Sequence, residues 1–299
     1  SSFNWNSAVI SQNSDSPDGF FNSLKIDVAS TSTPTGGHNA LIKHKIEAQN
    51  LEQLGFGSSG AKTTTLSFYV KSNKTGTYSV QVRHVDASKY LLQEYTISSS
   101  NTWERKTITL VGNTADVIND DNGNGLELRF NLATGPDDKT SVKTTWTDDS
   151  GGTLYGTTDQ VNLFDSATNE WYLTGVQLEV GEVATAFEHR SFGDELARCQ
   201  RYFQLGDHAV GRTTSASNFE LLYAFPVDMR TGPTAALETN TTGVAQLGRS
   251  AVAINSLNNH WYNSVQSGGI AGTSADTGMT TNIVAVGHQR GAISFSAEL

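Results

Sequence analysis

The run TTTLSFYVKSN, Thr63 to Asn73, sets Leu66, Phe68 and Val70 on one side of an extended chain and Ser67, Tyr69 and Lys71 on the other. Alternation with period two belongs to a strand with one buried face. The pattern recurs at roughly ten-residue spacing, which is typical of antiparallel sandwiches. An Asn-Lys-Thr-Gly turn leads into KTGTYSVQVRHVD, where Tyr78, Val80 and Val82 alternate. KYLLQEYTIS and TWERKTITLVG follow, then GLELRFNLATG with Leu126, Leu128 and Phe130 in phase. EWYLTGVQLEVG places Trp171, Leu173, Val176 and Leu178 near its end. Earlier, FFNSLKIDVAS supplies Leu24, Ile26 and Val28 for a strand, while HNALIKHKIEAQN fits a short helix or a strand equally. Only 36% of the 299 residues are hydrophobic and 17% charged. Ser, Thr, Asn and Gly fill the difference, which suits many strands joined by polar turns better than helices. The expected fold is all-β, an antiparallel jelly-roll sandwich with one connecting helix and a small β-rich C-terminal domain.

The helix is expected over 191–206. Ser191 or Asp194 serves as N-cap, Asp194 and Glu195 favour the positive end of the dipole, and Gly206 stops it. Leu196, Cys199 and Phe203 fall at i, i+3 and i+7, a junction stripe that must find something to cover it. This divides the chain into a jelly roll at 1–190, the helix, and a β domain at 207–299. In that last part FELLYAFPVDMRTGPTAAL reads as a strand pair with Pro226 and Pro233 at its edges. Large apolar side chains are few there, so the core is thin and neighbouring copies are expected to complete it.

Net charge is −10, with a pI near 5.1. Such a surface repels phosphate backbones, which argues against nucleic acid as a partner. No apolar run reaches the length of a membrane span. Cys199 is the single cysteine, so no disulfide forms within the chain. It is expected as a small buried hydrophobe on the helix stripe. The chain opens SSFNW, without an initiator Met or a secretory signal, so its numbering is expected to begin inside a longer or processed product.

Aromatic rings beside amides are the usual platforms for sugars, because a pyranose face stacks on a ring. Candidates are Tyr69, Tyr90 and Tyr95 on strands, Trp146 and Tyr155 in a loop, and His260, Trp261 and Tyr262 in NNHWYNS. Core filling competes with that reading for each of them. The segment DDNGNG offers Asp120, Asn122 and Asn124 as oxygen ligands for calcium, with Gly125 allowing the turn. Its twelfth position is Asn131 where a bidentate glutamate is expected, and a plain turn explains the same residues. His38 and His44 lack zinc spacing. Glu188 and Arg190 share a side and are expected to form an ion pair. Asp137, Asp138, Asp148 and Asp149 read as solvated loop carboxylates, and no nucleophile elbow appears.

YLTGVQLEVGEVATAFEHRSFGDELARCQRYFQ resembles a segment of tailed-bacteriophage virion proteins, of tail-fibre, receptor-binding or head-decoration type. The shared pattern is T-G-V-Q-L-E-x-G at Thr174 to Gly181, then A-T-x-F-E-x-R at Ala184 to Arg190, then E-L-x-x-C-Q-R-Y followed by an aromatic at Glu195 to Phe203. DSPDGFFNSLKI, LSFYVKSNKTGTYSVQV, TWERKTITLVG and AISFSAEL are similar as well. Ala186 stands where that family commonly has proline. The resemblance implies a jelly roll like a carbohydrate-binding module, assembly as a homotrimer, and a place on the virion surface among other virion proteins. It implies attachment to host surface glycans without catalysis. The alternatives are a decoration protein with no sugar ligand and a glycan-degrading enzyme.

Overall fold

The computed structural model describes residues 8–149, 154–206, 209–237, 242–246, 252–264, 266–274, 284–287 and 293–298; of these, 237, 242–246, 252–255, 258–263, 274 and 284–287 are described by backbone alone. The chain divides into two compact units, Ser1–Glu188 and His189–Glu298.

The strands of the first unit are β1 (Ala8–Asn13), β2 (Ser23–Val28), β3 (Asn39–Glu47), β4 (Thr64–Ser72), β5 (Gly76–His84), β6 (Lys89–Ile97), β7 (Glu104–Leu110), β8 (Asn124–Thr134), β9 (Lys139–Thr140), β10 (Lys143–Asp148), β11 (Gly156–Thr157) and β12 (Glu170–Val180). Two five-stranded sheets form, in the orders β1-β2-β12-β4-β7 and β10-β6-β5-β8-β3. They are called here the β12 sheet and the β5 sheet. Every pairing within them is antiparallel. Neighbours that are not consecutive in sequence give the crossed order of a jelly roll. The ambiguous stretch after His38 is β3, because its Ile42 faces Phe130 across the ladder and its backbone is needed as the sheet's edge.

Alternation fills the space between the sheets as the sequence implied. Leu66, Phe68 and Val70 meet Tyr78, Val80 and Val82, with Leu128, Phe130, Trp171 and Leu173 joining them, all buried. Phe68 packs edge-on to Phe130 at 5.1 Å, the T-shaped geometry that ring quadrupoles favour. Each large side chain removed from water here is worth roughly 1.5–3 kcal/mol. One end of the sandwich is sealed by Phe56, His84 and Trp146, with ring centres 5.7–5.9 Å apart. His84 is fully buried, and burial pushes its imidazole below the ordinary value.

β12 carries one extra residue. Thr174 faces Tyr69 and Gln177 faces Ser67, so three steps on β12 oppose two on β4. Gly175 sits at the bulge with φ +59°, and an added Cβ would lie 2.6 Å from Phe20. Only glycine suits both demands.

Beyond the bulge, the segment from Thr174 to Arg190 has a structural task. Gln177 and Glu179 capture the chain as it folds back. Thr185 N donates to Glu179 Oε1 at 2.7 Å, and Glu188 N donates to Gln177 Oε1 at 2.8 Å. Arg105 donates to the Thr185 carbonyl, and Phe187 stacks edge-on to Phe20 at 5.0 Å. The T-G-V-Q-L-E and A-T-x-F-E motifs are two halves of one clasp.

The second unit opens with α1 (Phe192–Gln200), capped by Ser191, whose Oγ accepts from Asp194 N at 3.2 Å. It is shorter than the sequence implied: Phe203 begins β13 (Phe203–Leu205) and is not on the helix. The expected stripe is not buried. Leu196 and Phe203 are each 43% exposed, and Cys199 is exposed, not a small core residue. Arg190 pairs with Glu195 at 3.4 Å in place of the expected Glu188.

Next come β14 (Ala209–Thr213), β15 (Asn218–Ala224), β16 (Thr234–Leu237), β17 (Thr242–Gln246), β18 (Val252–Asn263), β19 (Ser267–Ser274), β20 (Val284–Gly287) and β21 (Ile293–Ser296). A closed barrel runs β14-β15-β19-β18-β17-β20, and a small sheet runs β13-β21-β16. β15 and β16 therefore do not pair with each other; β15 lies against β14 and β19, and β16 against β21. Glycines on β19 make room for rings: an added Cβ would come within 2.3 Å of Phe295 at Gly268 and 2.7 Å of Phe219 at Gly272. No helix among the described residues is long and apolar enough to cross a membrane.

Candidate functional site

The outer face of the β5 sheet is the unusual surface of the first unit. Its core side is apolar, so alternation turns Ser79, Gln81 and Arg83 of β5 the other way. They lie directly opposite Asn131, Arg129 and Glu127 of β8. A solvated sheet face would leave such side chains in water. Here they are largely buried, because the chain around 154–160 crosses over them. Gln81 donates to the Leu154 carbonyl at 2.6 Å, Asn131 donates to the Tyr155 carbonyl, and Ser79 donates to Gln160. Arg83 Nε donates to Asp149 Oδ2 at 2.7 Å. Backbone bonds fix the crossing: Tyr155 N donates to Asp138 O at 2.9 Å and Thr158 N to Thr140 O at 3.1 Å.

A hollow of about 210 Å³ remains at the side of this crossing, lined by Asn39, Leu41, Lys43, Arg129 and Tyr155. Arg129 forms part of its floor. Its Nε donates to Glu127 Oε2 at 2.7 Å, its Nη1 to Gln81 Oε1 at 2.8 Å, and its Nη2 pairs with Glu127. The Tyr155 ring lies 5.3 Å from the guanidinium carbon, a cation–π contact that orients both groups. Burial pushes the Glu127 carboxyl up, but the charge and hydrogen bonds of Arg129 outweigh it and hold that carboxyl below its usual range. Several buried polar atoms beneath the crossing have no hydrogen-bond partner among the described residues: Asn131 Oδ1, Thr134 Oγ1, Thr157 Oγ1 and Gln160 Nε2. Each such atom costs about 1–3 kcal/mol unless water or a ligand completes it.

The other outer face, on the β12 sheet, is built differently. Lys25 Nζ lies 2.6 Å from Glu170 and 3.2 Å from Asp27. Lys71 pairs with Asp15 and sits 4.3 Å from the Tyr172 ring centre and 5.4 Å from that of Trp103. Trp103 Nε1 donates to Asp15 at 3.0 Å, and Tyr172 Oη to Glu170 at 2.7 Å. Hydrogen bonds from Lys25 and Tyr172 hold Glu170 low, and one from Lys71 does the same for Asp15. Burial and the Glu170 bond push the Tyr172 phenol up to about 12.

The expected sugar platforms scatter. Tyr155 alone lines the hollow. Tyr90 shares the β5-sheet face but is 2% exposed, covered beside Arg83 and Thr147. Tyr95 is not a platform but a core residue, stacked on Tyr78 at 5.7 Å and edge-on to Phe68 at 5.0 Å. Trp146 seals the sandwich end and donates to the Val111 carbonyl at 2.9 Å. Tyr69 lies on the β12 sheet against Phe20 at 5.4 Å. His260, Trp261 and Tyr262 lie on β18, and their side chains fall outside the described residues.

The calcium reading does not fit the loop. Asn124 has joined β8 and its amide donates to Glu127 at 2.7 Å, while Asp121, not Asp120, turns inward to accept from Gly123 N at 2.8 Å. That is an Asx turn. Asn131, the twelfth position, is buried under Tyr155, and Asn122 stays in the turn. Among the described residues no group of three His, Cys, Asp or Glu side chains is placed to hold a metal ion. Asp149 is likewise not a solvated loop carboxylate, because it is buried against Arg83, and Asp148 ends β10. Every carboxylate with a resolved shift, Asp15, Glu104, Asp116, Glu127, Asp165, Glu170 and Glu179, lies below its usual range. That is the behaviour of paired anions; a general acid needs the opposite shift.

Asn39, Lys43, Arg129 and Trp103 were not foreseen. The available signal was charge inside an apolar strand: Glu127 and Arg129 interrupt GLELRFNL at the outward positions of a central strand.

No protein-family model matches the chain, and no curated protein matches it. Among solved structures, a candidate sugar binding protein from Bacteroides thetaiotaomicron superposes with a TM-score of 0.32 at 11% identity, over 58% of this chain and 83% of its own. A CBM4 structure gives 0.31 at 16% identity, over 58% of this chain and 78% of its own. Cucumber Necrosis Virus gives 0.18 at 12% identity, over 93% of this chain and 87% of its own.

Proposed function

We propose that the first unit is a carbohydrate-binding module and that its site is the hollow beside Tyr155. The observation that carries this is the pairing of an oriented aromatic ring with a fixed guanidinium and an amide, Asn39, on a sheet face whose remaining polar atoms are partly unpartnered. The hollow is smaller than the roughly 300–1,000 Å³ of drug-sized sites. It takes one residue of a glycan chain, so each contact is weak. Display in several copies, three in the assembly that the phage-like segment implies, turns weak contacts into firm attachment by raising effective concentration. In this reading the chain is a non-catalytic virion component that holds a particle to a glycan-coated cell.

A second reading has its own support. Phe192 is 82% exposed and Leu205 51% exposed in the second unit, apolar surface that suits contact with a protein neighbour. A decoration protein would use that surface and ignore sugars.

A glycan array probed with the chain and with Tyr155→Ala separates the two. Retention on one or more glycans, weakened about tenfold by the substitution, is the expected result. No retention across neutral and acidic glycans would sink the sugar reading and leave decoration.

A further inference from the structure

Lys43 of β3 and Arg129 of β8 are direct cross-strand partners. Both line the hollow. Like charges facing each other across a ladder destabilise a sheet. A local rule broken without a structural gain marks a functional position. Glu127 pairs with Arg129 and also attracts Lys43 from farther off, but among the described residues no carboxylate lies within ion-pair distance of Lys43. The donor inventory points the same way. A guanidinium has five N–H groups, and three of those of Arg129 are used, two by Glu127 and one by Gln81. Among the described residues, two N–H groups of Arg129 and the ammonium of Lys43 therefore have no acceptor. No carboxylate lines the hollow; the adjoining Asp138 accepts from Asn39 Nδ2 at 3.2 Å.

We infer that the glycan residue taken by this hollow carries a negative substituent, a carboxylate or a sulfate ester, seated between Lys43 and Arg129 with the sugar ring against Tyr155. The inference rests on the sugar-binding reading above and adds the charge of the ligand. An anion at that point removes the repulsion between the two cations and fills the unused donors with charge-assisted hydrogen bonds. Hydroxyl oxygens of a neutral glycan can accept from those donors but leave the repulsion between the two cations in place.

The test compares matched polymers: polygalacturonate with its fully methyl-esterified form, and dextran sulfate with dextran. Titration calorimetry on the full chain is expected to show at least one acidic polymer bound about tenfold more tightly than its neutral counterpart. That preference should shrink between about 0.05 and 0.5 M salt, as screening shortens the reach of the charges. The pair that responds shows whether carboxylate or sulfate is preferred. Lys43 is exposed, so Lys43→Gln leaves the fold intact and should weaken the acidic polymer about fivefold, whereas Lys43→Arg should retain it. If neither acidic polymer is preferred, or if Lys43→Gln changes nothing, the charge inference is overturned. Retention of neutral glycans on the array would leave the sugar site itself standing. Polyglutamate binding as tightly as the acidic glycan would show a site for any polyanion and would also overturn it.

Discussion

The two outer faces of the sandwich are made of similar residues used in opposite ways. On the β12 sheet, Lys25, Lys71, Glu170 and Asp15 close on one another around Tyr172 and Trp103. On the β5 sheet, a comparable set leaves a cationic pair facing across the ladder, with several buried polar atoms unpartnered nearby. The first face shows how a sheet stabilises itself with paired, largely covered charge. The second tolerates a local cost, which the proposed ligand would offset. Polarity alone therefore does not mark a site; the marker is polarity left incomplete by its neighbours.

The largest effect should come from the floor of the open face. Glu127 and Arg129 have side chains only 6% and 7% exposed, so Arg129→Met strands a buried carboxylate. Denaturant unfolding should show a loss of about 3 kcal/mol, mostly recovered by adding Glu127→Gln. An unchanged midpoint in the single variant would mean that the floor is wetter than described.

A crossed pair of substitutions then separates the faces. Trp103→Ala removes a cation–π contact and a charge-assisted bond, so stability should fall by about 1–2 kcal/mol with glycan binding unchanged. Tyr155→Ala should do the reverse, losing binding while stability moves by less than about 1 kcal/mol. If both variants lose both properties, the distinction between the faces collapses.

The smallest effect is a pH dependence of the closed face. Asp15 and Glu170 are held below their ordinary values of 3.8 and 4.5, so the unfolded chain binds protons before the folded one. Their contribution is complete above those ordinary values and is lost as pH falls through the lowered folded ones. His84 adds an earlier decline that starts near its ordinary 6.5, because the buried imidazole resists the proton that the unfolded chain accepts. Lys71→Met should flatten the acid part of the stability curve and leave the part near 6.5 in place. Identical curves would remove the Asp15 pair from the account.

Much of this architecture was legible from residue alternation, since Leu66, Phe68 and Val70 have only one side to bury. Tyr95 was not, because each side of KYLLQEYTIS mixes apolar and polar residues and the pattern does not say which side faces in. The hollow was hidden for another reason. Asn39, Lys43, Arg129 and Tyr155 come from three distant segments; ladder register joins the first three, and the hydrogen bonds of the crossing bring Tyr155 to them. Asp120, Asn122 and Asn124 matched a calcium loop because an Asx turn needs the same residue types. The helix was legible as far as Leu196 and Cys199, but the stripe they were expected to bury is exposed, and the pattern ran on to Phe203, past the point where the chain turns extended.

The extra residue at Gly175 gives β12 a property like that of a reading frame. Before it, odd-numbered residues such as Trp171 and Leu173 belong to the interior; after it, even-numbered ones such as Val176 and Leu178 do. The strand counts residues modulo two, and the bulge resets the count. Removing Gly175 alone would erase the bulge and leave plain alternation, with Trp171, Leu173, Val176 and Leu178 still on one side. Removing two residues would shift the frame, sending Gln177 and Glu179 inward and releasing the clasp they hold.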